Sequence, residues 1–500
     1  TQPVVTVQDA GGNTIVGDSR TVSLALTTPA GAILTCDTTT VAASSGVAPF
    51  TGCQIDKSGT YTLSATASGV APGTSTNVVV STGPAARLAF TTQPSNGTGG
   101  VALTTQPVVK VLDSYGNTVT SPTNSVALAL TTSNGAVLTC TTNPLTTASG
   151  IATFAACKVD KTGTYTLTAT SASLTSTVSA SFTIAVGPAT KLGYAAQPSS
   201  SAASQVALAN QPVVAVQDAG GNTVTTDSST VTLALTTPGT ATLACDTTTV
   251  VGTSGLAAFT GCRVDKIGTY SLKAMAPGLT LGTSTNITIT VGPAAQLGFT
   301  TQPSATGTSQ VALPTQPAIK IVDAGGNTVT TDTSTVTIAL TTPNGATLAC
   351  TTSNFRAASA GVATFAGCKI DKVGTYTLTA TDGSLTSAVS NNITINPAAA
   401  SRLAFTSQPG GGATSTPFAS QPTVTVQDAS GNTVTSSSSS VTLALTTPNG
   451  AVLTCTTNPL AASAGVAAFG GCRVDLPGTY TLTATGTSLT SAVSTSFTVS

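Results

Sequence analysis

The sequence predicts an all-β chain of five tandem β-sandwich domains, and three observations carry that expectation. First, the segment opening Gln2-Pro3-Val4-Val5 returns at Gln106-Pro107, Gln211-Pro212, Gln316-Pro317 and Gln421-Pro422, a period of 104 or 105 residues. That period is too long for a solenoid turn and right for an independent domain. Second, apolar residues inside each copy alternate with polar ones at a spacing of two, the signature of half-buried strands. Third, the ten cysteines fall two to a copy. The expected domains are residues 1–82, 83–186, 187–291, 292–396 and 397–500, called units 1 to 5 below.

Taken in order, Val5 and Val7 alternate with polar neighbours until Asp9-Ala10-Gly11-Gly12-Asn13-Thr14 breaks the strand with turn chemistry. Val22, Leu24 and Leu26 form the next alternating run, and Tyr61, Leu63 and Ala65 a later one. Leu88 and Phe90 open the following copy. No segment sustains a 3.6-residue period, and the density of Thr, Val, Gly and Pro opposes helices. Six or seven short strands separated by turns in roughly 100 residues read as a sandwich.

Asp56-Lys57-Ser58-Gly59-Thr60-Tyr61 sharpens the reading, because it recurs from Asp160 to Tyr165, Asp265 to Tyr270, Asp371 to Tyr376 and Asp475 to Tyr480. A Tyr opening a late strand after a Gly turn matches the tyrosine corner of immunoglobulin-like sandwiches. Tyr61, Tyr165, Tyr270, Tyr376 and Tyr480 are therefore expected to pack at the core edge, each hydroxyl on a backbone group. The recurring patterns are Pro-Val-Val-x-Val-x-Asp-x2-Gly-Asn-Thr, Gly-Val-Ala-x-Phe and Asp-x2-Gly-Thr-Tyr-Thr-Leu-x-Ala. In unit 4 they occupy Asp323 to Thr328, Gly361 to Phe365 and Asp371 to Ala380. With these motifs the chain resembles the bacterial immunoglobulin-like domains of tandem-repeat surface proteins, in the broad invasin and intimin style. The resemblance spans nearly the whole chain but rests on scaffold motifs. It implies a secreted or cell-surface repeat protein and carries over no active site.

The cysteines are Cys36 and Cys53, Cys140 and Cys157, Cys245 and Cys262, Cys350 and Cys368, and Cys455 and Cys472. Many pairings are combinatorially open, and one bond per unit is the pairing that leaves every domain self-sufficient. Both members flank β-like runs, so a bond between neighbouring strands is geometrically reasonable. Closing a loop of about 17 residues should add roughly 3 kcal/mol in the chain-entropy model. Zinc would want close Cys clusters or His, and redox chemistry a Cys-x-x-Cys; the sequence has neither. Structural disulfides place the chain in an oxidising, extracellular or cell-surface setting.

Composition excludes most chemistry. Charged residues make up 6% of the chain, net charge is zero, and His and Trp are absent; all sixteen acidic residues are Asp. General acid–base catalysis draws on His or a tuned Glu, and a Ser or Thr nucleophile needs a positioned base. No enzyme and no cofactor are expected. Calcium would need six to eight oxygens with several carboxylates, whereas the Asp9 turn and its counterparts at Asp113, Asp218, Asp323 and Asp428 offer one each. The lysines do not repeat well: the strand position of Lys110 and Lys320 holds Thr6, Ala215 and Thr425 elsewhere, which argues against a general Lys–Asn crosslink. Sixteen scattered basic residues give no stripe for nucleic acid, and no apolar run is long enough for a membrane helix. Asn96, Asn286 and Asn392 head Asn-x-Ser/Thr sequons and are candidate glycan acceptors.

The junctions are short and carry Pro, as in Val186-Gly187-Pro188 and Val291-Gly292-Pro293. A restricted link of this kind makes five units a stiff rod, on the order of 150–200 Å long for sandwiches of about 30–40 Å. Thr1 aligns with Thr105, so unit 1 is expected to lack the first strand, and Ser500 aligns with Ser81. The sequence has neither an initiator Met nor a signal peptide, as a mature or partial chain would. Two explanations stand: a piece of a longer array, or a homopolymer in which another copy lends the strand to a groove at Val5, Val22 and Leu24. The expected function is the structural repeat of an extracellular filament, sheath or surface coat. The alternative is the stalk of an adhesin whose binding tip lies elsewhere. Uniform units favour the former, and the absence of Trp disfavours a sugar-binding module. Expected partners are other copies of the chain or neighbouring repeats.

Overall fold

The computed structural model describes residues 1–500 and is all-β, without a helix. Buried side chains gather into five separate cores, within residues 7–63, 88–184, 192–289, 297–395 and 403–499. The chain is five tandem immunoglobulin-like β-sandwiches with one disulfide in each.

Unit 2 illustrates how the sequence builds a sandwich. Strand Arg87–Thr92 runs antiparallel to Val108–Leu112, with Leu88 opposite Val111 and Phe90 opposite Val109. Val108–Leu112 in turn pairs with Ile151–Thr153. Facing this sheet, Ser125–Leu130 pairs with Leu167–Thr170, Leu128 lying opposite Ala169. The alternation read from the sequence puts Val109, Val111, Val126 and Leu128 inward, where they meet Phe154 and Leu167. Burying each such side chain contributes about 1.5–3 kcal/mol.

The unit holds twelve short strands rather than six or seven. The reason is sheet switching. Gly163–Tyr165 pairs with Phe182–Ala185, yet Leu167–Thr170, one residue later, pairs in the other sheet. A run that reads as one strand thus serves two ladders, as corners of sandwiches do. The parallel pairing of Gly97–Thr98 with Phe182–Ala185 likewise has no local signal.

Each disulfide ties neighbouring antiparallel strands. Leu34–Thr35 pairs with Gln54–Ile55, which brings Cys36 and Cys53 face to face with Cα atoms 3.9 Å apart. The other four bonds join Cys140 to Cys157, Cys245 to Cys262, Cys350 to Cys368, and Cys455 to Cys472. The recurrent Gln before Pro fastens the same spot: Gln106 Oε1 accepts the Cys157 N–H (2.7 Å), and the pattern repeats at Gln211, Gln316 and Gln421. A recurrent buried Ser closes the far edge, Ser179 Oγ accepting the Leu167 N–H and donating to the Ala180 carbonyl.

Unit 1 differs. It has no counterpart of Arg87–Thr92, and its core counts seven buried residues where the others count 16 to 18. Two adjoining hollows of about 430 and 280 Å³ lie along the sheet, lined by Val5, Val7, Val22 and Val70 and by Leu24 and Leu63. Cys53 of this unit is half-exposed, whereas Cys157, Cys262, Cys368 and Cys472 are fully buried.

Replacing Cys245 and Cys262 with Ser should lower the stability of unit 3 by roughly 3 kcal/mol, read from denaturant unfolding.

Candidate functional site at the joints between units

The residues most heavily committed to one another outside the cores lie where units meet. Asp-x2-Gly-Asn forms a tight hairpin loop in every unit. In unit 3 the Asp218 N–H donates to the Asn222 carbonyl (3.0 Å), and Gly221, at φ +86°, donates to the Asp218 carbonyl. Asp218 Oδ1 accepts the Asn222 N–H at 2.9 Å. The Asn222 amide also donates to both Asp218 carboxylate oxygens at 3.0 Å, which leaves its Oδ1 without a partner inside the loop.

That side chain reaches into the preceding unit. Asn222 Nδ2 donates to the Asp160 carbonyl (2.7 Å), while its Oδ1 accepts the Thr162 N–H (3.1 Å). Asp160 belongs to the tyrosine-corner motif of unit 2. The same two bonds join Asn117 to Asp56 and Ser58, Asn327 to Asp265 and Ile267, and Asn432 to Asp371 and Val373. All four joints are built alike.

The Asp of the turn fastens the linker. Asp218 Oδ2 accepts the Gly187 N–H at 2.9 Å, and the corresponding donors to Asp113, Asp323 and Asp428 are Gly83, Gly292 and Ala398. These four carboxylates are buried, 0–1% exposed. Asp9 and Asn13 of unit 1 keep the same internal bonds and lie exposed.

The corner Asp works in both directions. Its side chain pins a loop of its own unit: Asp265 Oδ1 accepts the Thr242 N–H, and Asp56, Asp160, Asp371 and Asp475 accept from Ile33, Val137, Thr347 and Val452. Its carbonyl serves the next unit. Later joints add more: Asn327 and Asn432 Nδ2 also donate to Ser204 and Ser309 Oγ of the preceding units, and Lys266 and Lys372 donate across to Gly325 and Ser430. At the first joint Tyr115 donates to Gln54 Oε1 (3.0 Å).

Electrostatics follow from this wiring. Burial alone would push the Asp218 carboxyl up, but the Gly187 and Asn222 N–H groups and the Asn222 amide outweigh it and hold it below its ordinary 3.8. Asp113, Asp323 and Asp428 are lowered in the same way. The chain contains two ion pairs, Arg20–Asp18 and Lys266–Asp265, so these buried charges are neutralised by backbone and amide dipoles.

The remaining residues singled out from the sequence lie apart from the joint carboxylates or serve the fold. Tyr165, Tyr270, Tyr376 and Tyr480 donate at 3.2 Å to carbonyls three or four residues upstream, at Thr162, Ile267, Val373 and Leu476. Tyr61 is buried and makes no such bond. The preceding Gly is sterically required: a Cβ on Gly163 would stand 2.9 Å from the Tyr165 hydroxyl. Asn96, Asn286 and Asn392 are exposed, and Asn96 Oδ1 accepts the Thr183 N–H. No cluster of three or more His, Cys, Asp or Glu side chains occurs, and no helix is long and apolar enough to cross a membrane. Sequence reading took the Asp and Asn of the turn as hairpin chemistry and missed the joint. The available signal was Asn itself, present in all five copies with a side-chain oxygen that the loop leaves without a partner.

No protein-family model matches the chain, and no curated protein matches it. Among solved structures, the human desmocollin-1 ectodomain is similar over 99% of this chain and 94% of its own, at 9% identity and a TM-score of 0.30. The Escherichia coli adhesin FdeC is similar over 63% of this chain and 99% of its own, at 16% identity and a TM-score of 0.21. The D0-D1 domain of intimin covers 40% of this chain and 97% of its own, at 16% identity and a TM-score of 0.18. At these values the likeness is one of fold alone, and it does not single out the invasin and intimin kind.

Two measurements check the joints. Asn327→Ala strips partners from the Asp323 carboxylate and the Asp265 carbonyl, so it should weaken the joint of units 3 and 4 by about 2–3 kcal/mol, seen as faster exchange of the Gly292 amide. For pH, the lowered carboxyls contribute stability that is complete above 3.8 and is lost as pH falls through their lower folded values. With no His and no Glu to titrate, melting of the oxidised chain should be flat from pH 8 to pH 5 and decline only below 3.8.

Proposed function

We propose that the chain is a non-enzymatic structural rod of an extracellular filament, sheath or surface coat. The observation that carries this reading is the fourfold repetition of one buried Asp–Asn fastening, which ties each unit to the next and its linker to both. A joint that consumes a buried carboxylate, a side-chain amide and the linker N–H resists bending far more than a Pro-containing link alone. Stiffness is the one property that all five units build together.

Other features agree. Five disulfides suit an oxidising compartment. The recurring carboxylates are engaged by N–H groups and so are poor general acids or bases. The units present the same scaffold five times, without a distinctive binding loop. A rod of this kind also serves as the stalk of an adhesin, with the recognition surface outside these residues.

Electron microscopy of the unreduced native material distinguishes the two. Long polymers or lattices with a period set by the 105-residue unit are expected for a filament or coat. Single rods projecting from an envelope would assign the stalk instead, and freely jointed beads would overturn both.

A further inference from the structure

The four joints share a donor that unit 5 does not have. Ser58, Thr162, Ile267 and Val373 each give a backbone N–H to the Asn Oδ1 of the following unit. The aligned residue in unit 5 is Pro477, which has no N–H. The residue before it is Lys in the other four units, at Lys57, Lys161, Lys266 and Lys372, and Leu476 in unit 5. Two of those lysines bond across their joints; Leu476 cannot, and its side chain is 43% exposed.

The rest of the corner is intact. Asp475 Oδ1 still accepts the Val452 N–H, and Tyr480 still donates to the Leu476 carbonyl. Leu476 and Pro477 therefore leave the fold of unit 5 unchanged and alter only the groups that would meet a successor.

We propose that the corner of unit 5 is a looser coupling point: a further repeat placed after it finds neither the N–H that holds the Asn Oδ1 nor the Lys, and only the Asp475 carbonyl is left to receive its Asn side chain. The four internal joints keep both bonds to the Asn side chain, and a joint made at the unit 5 corner would keep one. This rests on the rod reading only for its biological meaning; the difference in coupling stands on the corner chemistry.

Transplanting the corner tests it. The full chain carrying Lys372→Leu with Val373→Pro puts the unit 5 corner at the fourth joint, a position where unit 5 itself shows that Pro is accommodated. The bend angle there should spread beyond that of the third joint in single-particle images, and the Ala398 amide should exchange roughly five- to tenfold faster, the size of one lost hydrogen bond. Val373→Ala, which keeps the N–H, should leave both unchanged. In the reverse experiment, the chain is extended after Ser500 by a copy of residues 186–291, which keeps the linker length of the internal joints. The added joint should be mobile as it stands and stiff with Leu476→Lys and Pro477→Val. A fourth joint as straight and protected as the third after the transplant, or an added joint already stiff with Leu476 and Pro477, overturns the proposal. The rod reading survives either result, because it depends on the internal joints.

Discussion

The contact of one Asn side chain with the corner of the unit before it is the constraint on which the rest of the architecture turns. Asn327 cannot satisfy the Asp265 carbonyl and the Ile267 N–H unless the turn of unit 4 sits flush against unit 3. That position brings Gly292 within 2.9 Å of Asp323, so the linker is fixed as a by-product. A carboxylate buried in this way would be costly if left alone. Here every face of it is met by an N–H, and the cost turns into directionality, since few orientations of the two units provide all the donors.

Sandwich and joint divide the labour. Inside a unit, Val, Leu and Ile supply burial, with 4% aromatics in the whole chain, and the disulfide with its Gln partner restrains one edge. Between units the contacts are polar and specific. In unit 1 seven residues are buried, and hydrophobic side chains such as Val5 line open hollows. Its turn is nonetheless formed, which separates the local chemistry of Asp9 and Asn13 from the docking that their counterparts perform.

Much of the fold was legible because repetition and alternation are local signals. The period of the Gln-Pro segment marked the units, alternation at Val22 and Leu24 marked the strands, and the spacing of the cysteines agreed with a bond in each unit. Strand number was not legible, because a run such as Gly163 to Thr170 changes sheets at Thr166 and nothing in its residues announces the change. The joint was hidden for a different reason. Asp and Asn around a Gly are sufficient for a hairpin loop, so their local role concealed one that depends on residues about 60 positions away, as with Asn222 and Asp160 at a separation of 62. The same holds for Pro477, which reads as one more turn proline until the N–H it replaces is seen to be in use elsewhere.

Both halves of the joint, corner and turn, are encoded in each of units 1 to 4. A duplicated copy inserted among units 1 to 4 therefore arrives with a ready-made interface on each side and needs no compensating change in its neighbours. Chain length becomes a quantity that recombination between copies can raise or lower in whole steps, with the mechanics of the rod inherited intact each time.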